Sequence, residues 1–137
     1  MSEQSKVIKC TGFRWAGVPV MEYMPDPSLF RDVTRQTVVG EGVGEEASPI
    51  LTRYFEVQPG GYSTLEYHGH RHIVIVLRGR GTVRLGDETH DLAPYDAVYV
   101  APRAVHQFRA LGDEPLGFLC VVERVRDRPT PVAEAPG

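Results

Sequence analysis

The chain predicts an all-β protein, a sandwich or small barrel folded as one domain. Three observations carry this. From Ile50 onward, short segments rich in Val, Ile, Leu, Tyr and Phe follow one another at strand length, each closed by Gly, Pro or Asp. No stretch keeps a helical apolar period long enough to cross between parallel strands. The length of 137 residues is close to that of one ordinary domain and suffices to enclose one core.

The elements follow in order. Residues 1–49 read as an N-terminal extension: VIKCTGFRWAGVPV has room for one or two short strands, MPDPSLF is a proline-interrupted loop or turn, and EGVGEEAS is a solvated loop. Residues 50–126 hold the barrel, with strands expected in ILTRYFEV, YSTLEYH, IVIVL, GTVRLG, ETHDL, AVYVAP, HQFRAL and GFLCVVERV. IVIVL is apolar on both faces, which predicts a central strand covered on both sides. Residues 127–137, DRPTPVAEAPG, are rich in proline and small residues and read as a flexible tail that frays or drapes over the surface.

Composition narrows the function classes. Hydrophobic residues make up 42% and charged residues 24% of the chain, ordinary values for a globular protein. A net charge of -3 and a pI near 5.9 argue against nucleic acid or an anionic membrane as partner. Cys10 and Cys120 form no metal-binding pair, and Cys120, inside GFLCVV, reads as a buried strand thiol. MSEQSKVIKC holds no apolar run for a signal peptide or a membrane span, so a cytoplasmic setting is expected.

The chemistry concentrates in EYHGHRH, where Glu66, His68, His70 and His72 alternate. On one straight strand they would share a face, yet Glu66 and His72 would stand about 20 Å apart. Donors at about 2.1 Å from one ion lie within roughly 4 Å of each other. The chain must therefore bend, and Gly69 is the place, since glycine accepts the positive φ that a tight turn can require. Glu66 and His68 then end one strand, His72 begins the next, and His70 falls at the tip of the connection.

A fourth donor has to come from elsewhere. His106 follows a strand, a proline and a short turn and opens the alternating segment HQF, whereas His90 lies among charged hairpin residues and is expected at the surface. A lone histidine at a strand end reads as a solvated side chain. Three imidazoles with a carboxylate, feeding a buried strand, are instead the usual donors for a first-row transition metal.

These residues resemble the first motif of the cupin family, G-x5-H-x-H-x3-E-x6-G. The chain reads Gly60, Glu66, His68, His72 and Gly79 at matching intervals, with Glu and His exchanged at the outer ligand positions. The second motif, G-x5-P-x-G-x2-H-x3-N, falls on Tyr95, Ala101, Arg103, His106 and Ala110, where only the histidine is retained. The resemblance implies a cupin-type β-barrel, or jelly roll, of two antiparallel sheets with a metal inside one open end. Family members are often dimers, so a homodimer is expected, and VTRQTVV would suit an edge strand shared with a partner subunit.

The expected metal ligands are thus Glu66, His68, His72 and His106, around one divalent ion: iron, manganese, nickel, copper or zinc, with iron placed first. Four donors leave positions open on a six-coordinate ion. Alternation counted from the ligands puts Thr64, Val74, Val76 and Phe108 on the site face, with Arg53 and Tyr54 competing for it; Arg53 is taken as the pocket residue. Glu66 is the catalytic candidate, as weak ligand or general base, and His70 lies beside the ligands or at the entrance.

The expected activity is that of a dioxygenase-type oxidoreductase acting on a small organic molecule. Alternatives are a metal-dependent isomerase or lyase, or a non-catalytic binder of a small ligand. RGRG lacks the helix and lysine of a phosphate loop and reads as the turn after IVIVL.

Overall fold

The computed structural model describes residues 3–133. Among them the regular structure is all strand. The N-terminal strands are β1 (Cys10–Thr11), β2 (Arg14–Trp15), β3 (Met21–Glu22) and β4 (Arg31–Val39). The central ones are β5 (Ile50–Tyr62), β6 (Glu66–Tyr67), β7 (His72–Arg78), β8 (Arg80–Leu85) and β9 (Glu88–Leu92). The last are β10 (Ala97–Val100), β11 (His106–Leu111), β12 (Leu116–Glu123) and β13 (Thr130–Pro131). No helix here is long and apolar enough to cross a membrane.

Antiparallel pairing sorts the strands into two layers. One runs β10, β7, β12, β5, β4 and β3; the other runs β9, β8, β11, β6 and β13. Strand β5 belongs to both: it pairs with β12 from Ile50 to Val57, passes Pro59, Gly60 and Gly61, and meets β11 through Tyr62 opposite Arg109. The sheet is thereby curled on itself, and Phe55, Val57, Val76, Phe108, Leu116 and Phe118 fill the space between the layers.

The chain changes layer at Gly79. Strands β7 and β8 are consecutive yet do not pair, because β7 joins β10 and β12 while β8 joins β9 and β11. Gly79 has φ +75°, and a side chain there would run into the carbonyl oxygen of Pro115. A left-handed corner against another strand's backbone requires glycine.

Burial follows the two-residue period. Val98 and Val100 of β10 point in while Ala97 and Tyr99 point out. On β7, His72, Val74 and Val76 are buried, Ile75 and Leu77 are half-buried and Ile73 is 50% exposed, so this strand lies between two others but its outer face is only partly covered, less than IVIVL led us to expect. Among the described residues no helix lies over that face. The outer side of β5 is covered at Tyr54 by the β1–β2 hairpin: Phe13 stacks on its ring at 5.8 Å and Trp15 packs at 5.0 Å.

Several segments sit differently from the sequence expectation. Strand β4 pairs with β5 from Arg31 to Val39 within its own chain, so the main sheet begins before residue 50. Glu45, in the segment read as a solvated loop, is buried; its carboxylate accepts hydrogen bonds from the Gly40 and Gly42 amides and pairs with Lys6. The segment read as a tail is different in kind: Thr130 and Pro131 pair with Tyr67 and Glu66, and Val132 donates to the Leu65 carbonyl, so this part lies along the barrel. Residues 134–137 lie outside the described ones.

Candidate metal centre

Three strands and one bend build the site. Glu66 on β6 stands opposite His106 on β11. His72 opens β7 on the same inward face as Val74 and Val76, so the alternation that makes a core valine strand also aims an imidazole into the barrel. The connection between β6 and β7 bends at Gly69 and His70. Gly69 is not among the glycines with positive φ; Asp127 holds the bend instead, accepting the Gly69 amide at 2.7 Å and contacting His70 Nδ1 at 2.8 Å.

His68, His72 and His106 are all buried, and one ligating atom from each lies within 4.8 Å of the others. Two of the rings are locked in the same way. His68 Nδ1 faces the His70 carbonyl at 2.8 Å and His106 Nδ1 faces the Ala104 carbonyl at 2.8 Å. A carbonyl only accepts, so each Nδ1 carries the proton and each Nε2 presents a lone pair. His68 Nε2 is buried without a hydrogen-bond partner among the described residues, as is Glu66 Oε2.

Burial sets the protonation states. Desolvation, with the neighbouring His106 second, lowers the His68 pKa to about 4. His72 and His106 are also driven down, chiefly by burial. Glu66 moves the other way: burial raises it to about 7, against the hydrogen bond from the Tyr23 hydroxyl and the charge of Arg53. Its Oε1 lies 3.1 Å from that hydroxyl and 4.0 Å from His106 Nε2.

These residues fit a metal ion. Donors at about 2.1 Å from one ion stand roughly 3–4 Å apart, so the three imidazoles need little closure. They are neutral, as ligation requires, and a buried lone pair without a partner is costly unless something accepts it. Glu66 Oε2 is the fourth available donor.

His70 is buried at the bend. Its ring stacks on His68 at 3.9 Å, and its Nε2 lies 3.0 Å from His72 Nε2. A cavity of about 210 Å³ adjoins the histidines. Arg53 and Phe108 line it, but Thr64, Val74 and Val76 do not. Thr64 turns its hydroxyl to Met24 Sδ at 3.7 Å, and the two valines face inward yet pack into the core. His90 is on β9, exposed, beside Glu88. A larger hollow of about 570 Å³, lined by Gly79 to Gly81 and Asp113, shares no residue with this cavity.

Other cavity residues had not been picked out from sequence: Tyr23, Arg35, Cys120 and Arg126. Arg35 had a signal, since it shares a strand face with buried Val33. Cys120 was read as buried, which it is, at 1% exposure, but its place on the cavity wall follows from its register with Arg53 and Val74. Tyr23 and Arg126 lie in segments without a clear period.

Fold and site together define a small β-barrel protein with a histidine-rich pocket suited to a metal. Residues 53–122 match the family model described as Cupin domain, and the chain belongs to the cupin family. It is 47% identical, over 90% of its length and 77% of the relative's, to 1-methylthio-D-xylulose 5-phosphate methylsulfurylase of Rhodospirillum rubrum. Among solved structures it resembles a cupin-2 domain protein of the same organism, at 42% identity and TM-score 0.78, covering 98% of this chain and 84% of that one. A cupin 2 conserved barrel protein of Rhodopseudomonas palustris matches at 42% identity and TM-score 0.82, over 94% and 87%.

Proposed function

We propose that this cupin is a metal-dependent enzyme that cleaves a carbon–sulfur bond of a small phosphorylated ketose, the substrate class in the name of its Rhodospirillum relative. The observation that carries the metal is the unpartnered Nε2 of His68, facing two further neutral imidazoles. The similarity over 90% of the chain supports the substrate class.

A divalent ion held by His68, His72 and His106 would act as a Lewis acid on a substrate carbonyl. The rest of the chemistry belongs to the chain. A methylthio group on carbon 1 of a 2-ketose is α to the carbonyl, so the carbon–sulfur bond can break with its electron pair left on carbon, which then takes a proton. A thiolate from solution would attack the methylthio sulfur as that bond breaks, forming the sulfur–sulfur bond of a mixed disulfide; the thiol's proton balances the one taken up at carbon 1. Glu66, titrating near 7 and with Oε2 free, is suited to move the proton at carbon 1. Tyr23 orients its other oxygen, and the aromatic wall of Phe55, Phe108 and Phe118 excludes water.

A second reading, a dioxygenase, is favoured by the donor set of three imidazoles and one carboxylate with positions left open. One experiment addresses both. Metal content is measured on protein purified without a metal-binding tag, for wild type, His68→Ala and His106→Ala. Wild type is expected to hold about one ion per chain and the variants little; near-zero metal in all three would sink the metal centre. The loaded protein is then given a 1-methylthio ketose phosphate and a small thiol while methylthio loss and oxygen uptake are followed. Methylthio loss without oxygen uptake supports the first reading; oxygen uptake replaces it with the second.

The homodimer and the cytoplasmic setting are part of the same proposal. Light scattering on the purified chain tests the first.

A further inference from the structure

Beside the histidines, the cavity wall carries three guanidinium groups, from Arg35, Arg53 and Arg126. The register places two of them together. Arg35 on β4 stands opposite Phe55, and Arg53 on β5 stands opposite Thr37, so the two arginines are diagonal neighbours on the inward face of one antiparallel pair. Arg126 comes from the segment after β12.

None of the three has an ion-pair partner among the described residues. Arg35 Nε and Arg53 Nε are moreover buried with no hydrogen-bond partner. Arg53 is held with its guanidinium 4.9 Å from the Phe55 ring centre and Nη2 3.7 Å from Cys120 Sγ. Arg126 uses Nη1 on the carbonyls of Glu123 and Arg124. Glu66, the carboxylate on the wall, is turned to Tyr23 and His106 and meets Arg53 only through its charge, without a contact. Glu41, which acts on Arg126 only at longer range, is hydrogen-bonded to Thr37.

Three cations packed around a small cavity repel one another, and the mutual repulsion already lowers the Arg126 pKa, behind the larger effect of its burial. Apolar side chains would fill the wall at lower cost. An arriving anion removes the repulsion and satisfies the idle N–H donors. Guanidinium groups give paired, planar donors that match phosphate oxygens. A phosphate monoester brings nearly two negative charges and three oxygens; a single carboxylate brings half the charge and two oxygens.

We infer that Arg35, Arg53 and Arg126 form the subsite that takes the phosphate group of the substrate, fixing its distance from the metal ligands. This deepens the proposed function and rests on it for the rest of the substrate.

The test uses metal-loaded protein and isothermal titration with inorganic phosphate, D-ribulose 5-phosphate, D-ribulose and malonate. The expected result is that the sugar phosphate binds at least about tenfold more tightly than D-ribulose. Arg35→Gln, Arg53→Gln and Arg126→Gln should each weaken it about tenfold or more, with bound metal unchanged, and Arg126→Lys should restore part of the loss. Unchanged metal content and circular dichroism certify the fold of each variant. Where a Gln variant fails that check, the Lys variant at the same position is read instead. Equal affinity in wild type and variants would mean that the metal alone holds the anion, and would overturn the subsite. So would equal binding of D-ribulose, or tighter binding of malonate. The same proteins are assayed for methylthio release. Tight, arginine-dependent phosphate binding without methylthio release sinks the proposed reaction and keeps the subsite; methylthio release that is indifferent to the arginines does the reverse.

Discussion

Glu66 is the residue on which the chemistry of the site turns. It is buried, has one oxygen on Tyr23 and one without a partner, and titrates near 7. Glu66→Gln keeps the shape and removes the ionisation. Turnover is expected to fall about 100-fold or more, while metal content, held by the histidines, persists; loss of metal instead would make Glu66 a required ligand. The same substitution has a signed effect on the metal-free protein. A carboxyl whose folded pKa is raised from 4.5 to about 7 stabilises the fold below 4.5 and loses that contribution as pH rises through 7. Metal-free Glu66→Gln should thus gain on wild type at pH 8, by up to about 3 kcal/mol, and the gain should shrink to nothing below pH 4.5. Denaturant titrations at the two pH values check this.

At the scale of elements, the site depends on how strands are turned. The bend between β6 and β7 is fastened by Asp127, whose pKa is lowered to about 2, first by the Gly69 amide and next by His70. It therefore stays charged through the working range. Asp127→Ala should release the bend that sets His68 beside His72 and lower metal affinity about 10- to 100-fold, measured by competition with a chelator; unchanged affinity would show that the bend stands without it. The corner at Gly79 makes a sharper case. Gly79→Ala places a methyl group against the Pro115 carbonyl at a positive φ, which should cost about 2–4 kcal/mol. A drop in thermal midpoint of several degrees is the expected reading, and none at all would mean that the corner can open. How well the sequence revealed these features depended on their range. ILTRYFEV, IVIVL and HQFRAL announced strands because short runs of β-branched and aromatic residues closed by turn residues are a local signal. That Asp127 lies beside Gly69 could not be read, because nothing in DRPTP marks a partner 58 positions away.

For the whole molecule, the buried histidines make stability depend on pH and metal. His68, His72 and His106 all have folded pKa values below their unfolded value of 6.5. The unfolded chain then binds more protons as pH falls below 6.5, so the metal-free protein loses stability on acidification from 6.5 towards the His68 value of about 4. Glu66 opposes this in part over the same interval. A divalent ion binding only the folded state should raise stability by about 2.7 kcal/mol at a hundredfold excess over its dissociation constant. Calorimetry with and without metal at pH 7 and pH 5 is expected to show the larger stabilisation at pH 7; a larger one at pH 5 would contradict the neutral-imidazole site.

The sequence alone determined that the chain is β, that it folds as a cupin barrel, and that Glu66, His68, His72 and His106 are its metal-binding candidates. Strand periodicity and the reach of a metal ion are short-range constraints, and a single sequence displays them. Only the tertiary structure decided what surrounds those four residues. It buried His70 against His68, placed Val74 and Val76 in the core, and brought Arg35, Arg53 and Arg126 together from three segments. The reason is register: which residues of β4, β5 and β12 stand opposite one another is set by the packing of the whole barrel, and no single strand encodes it.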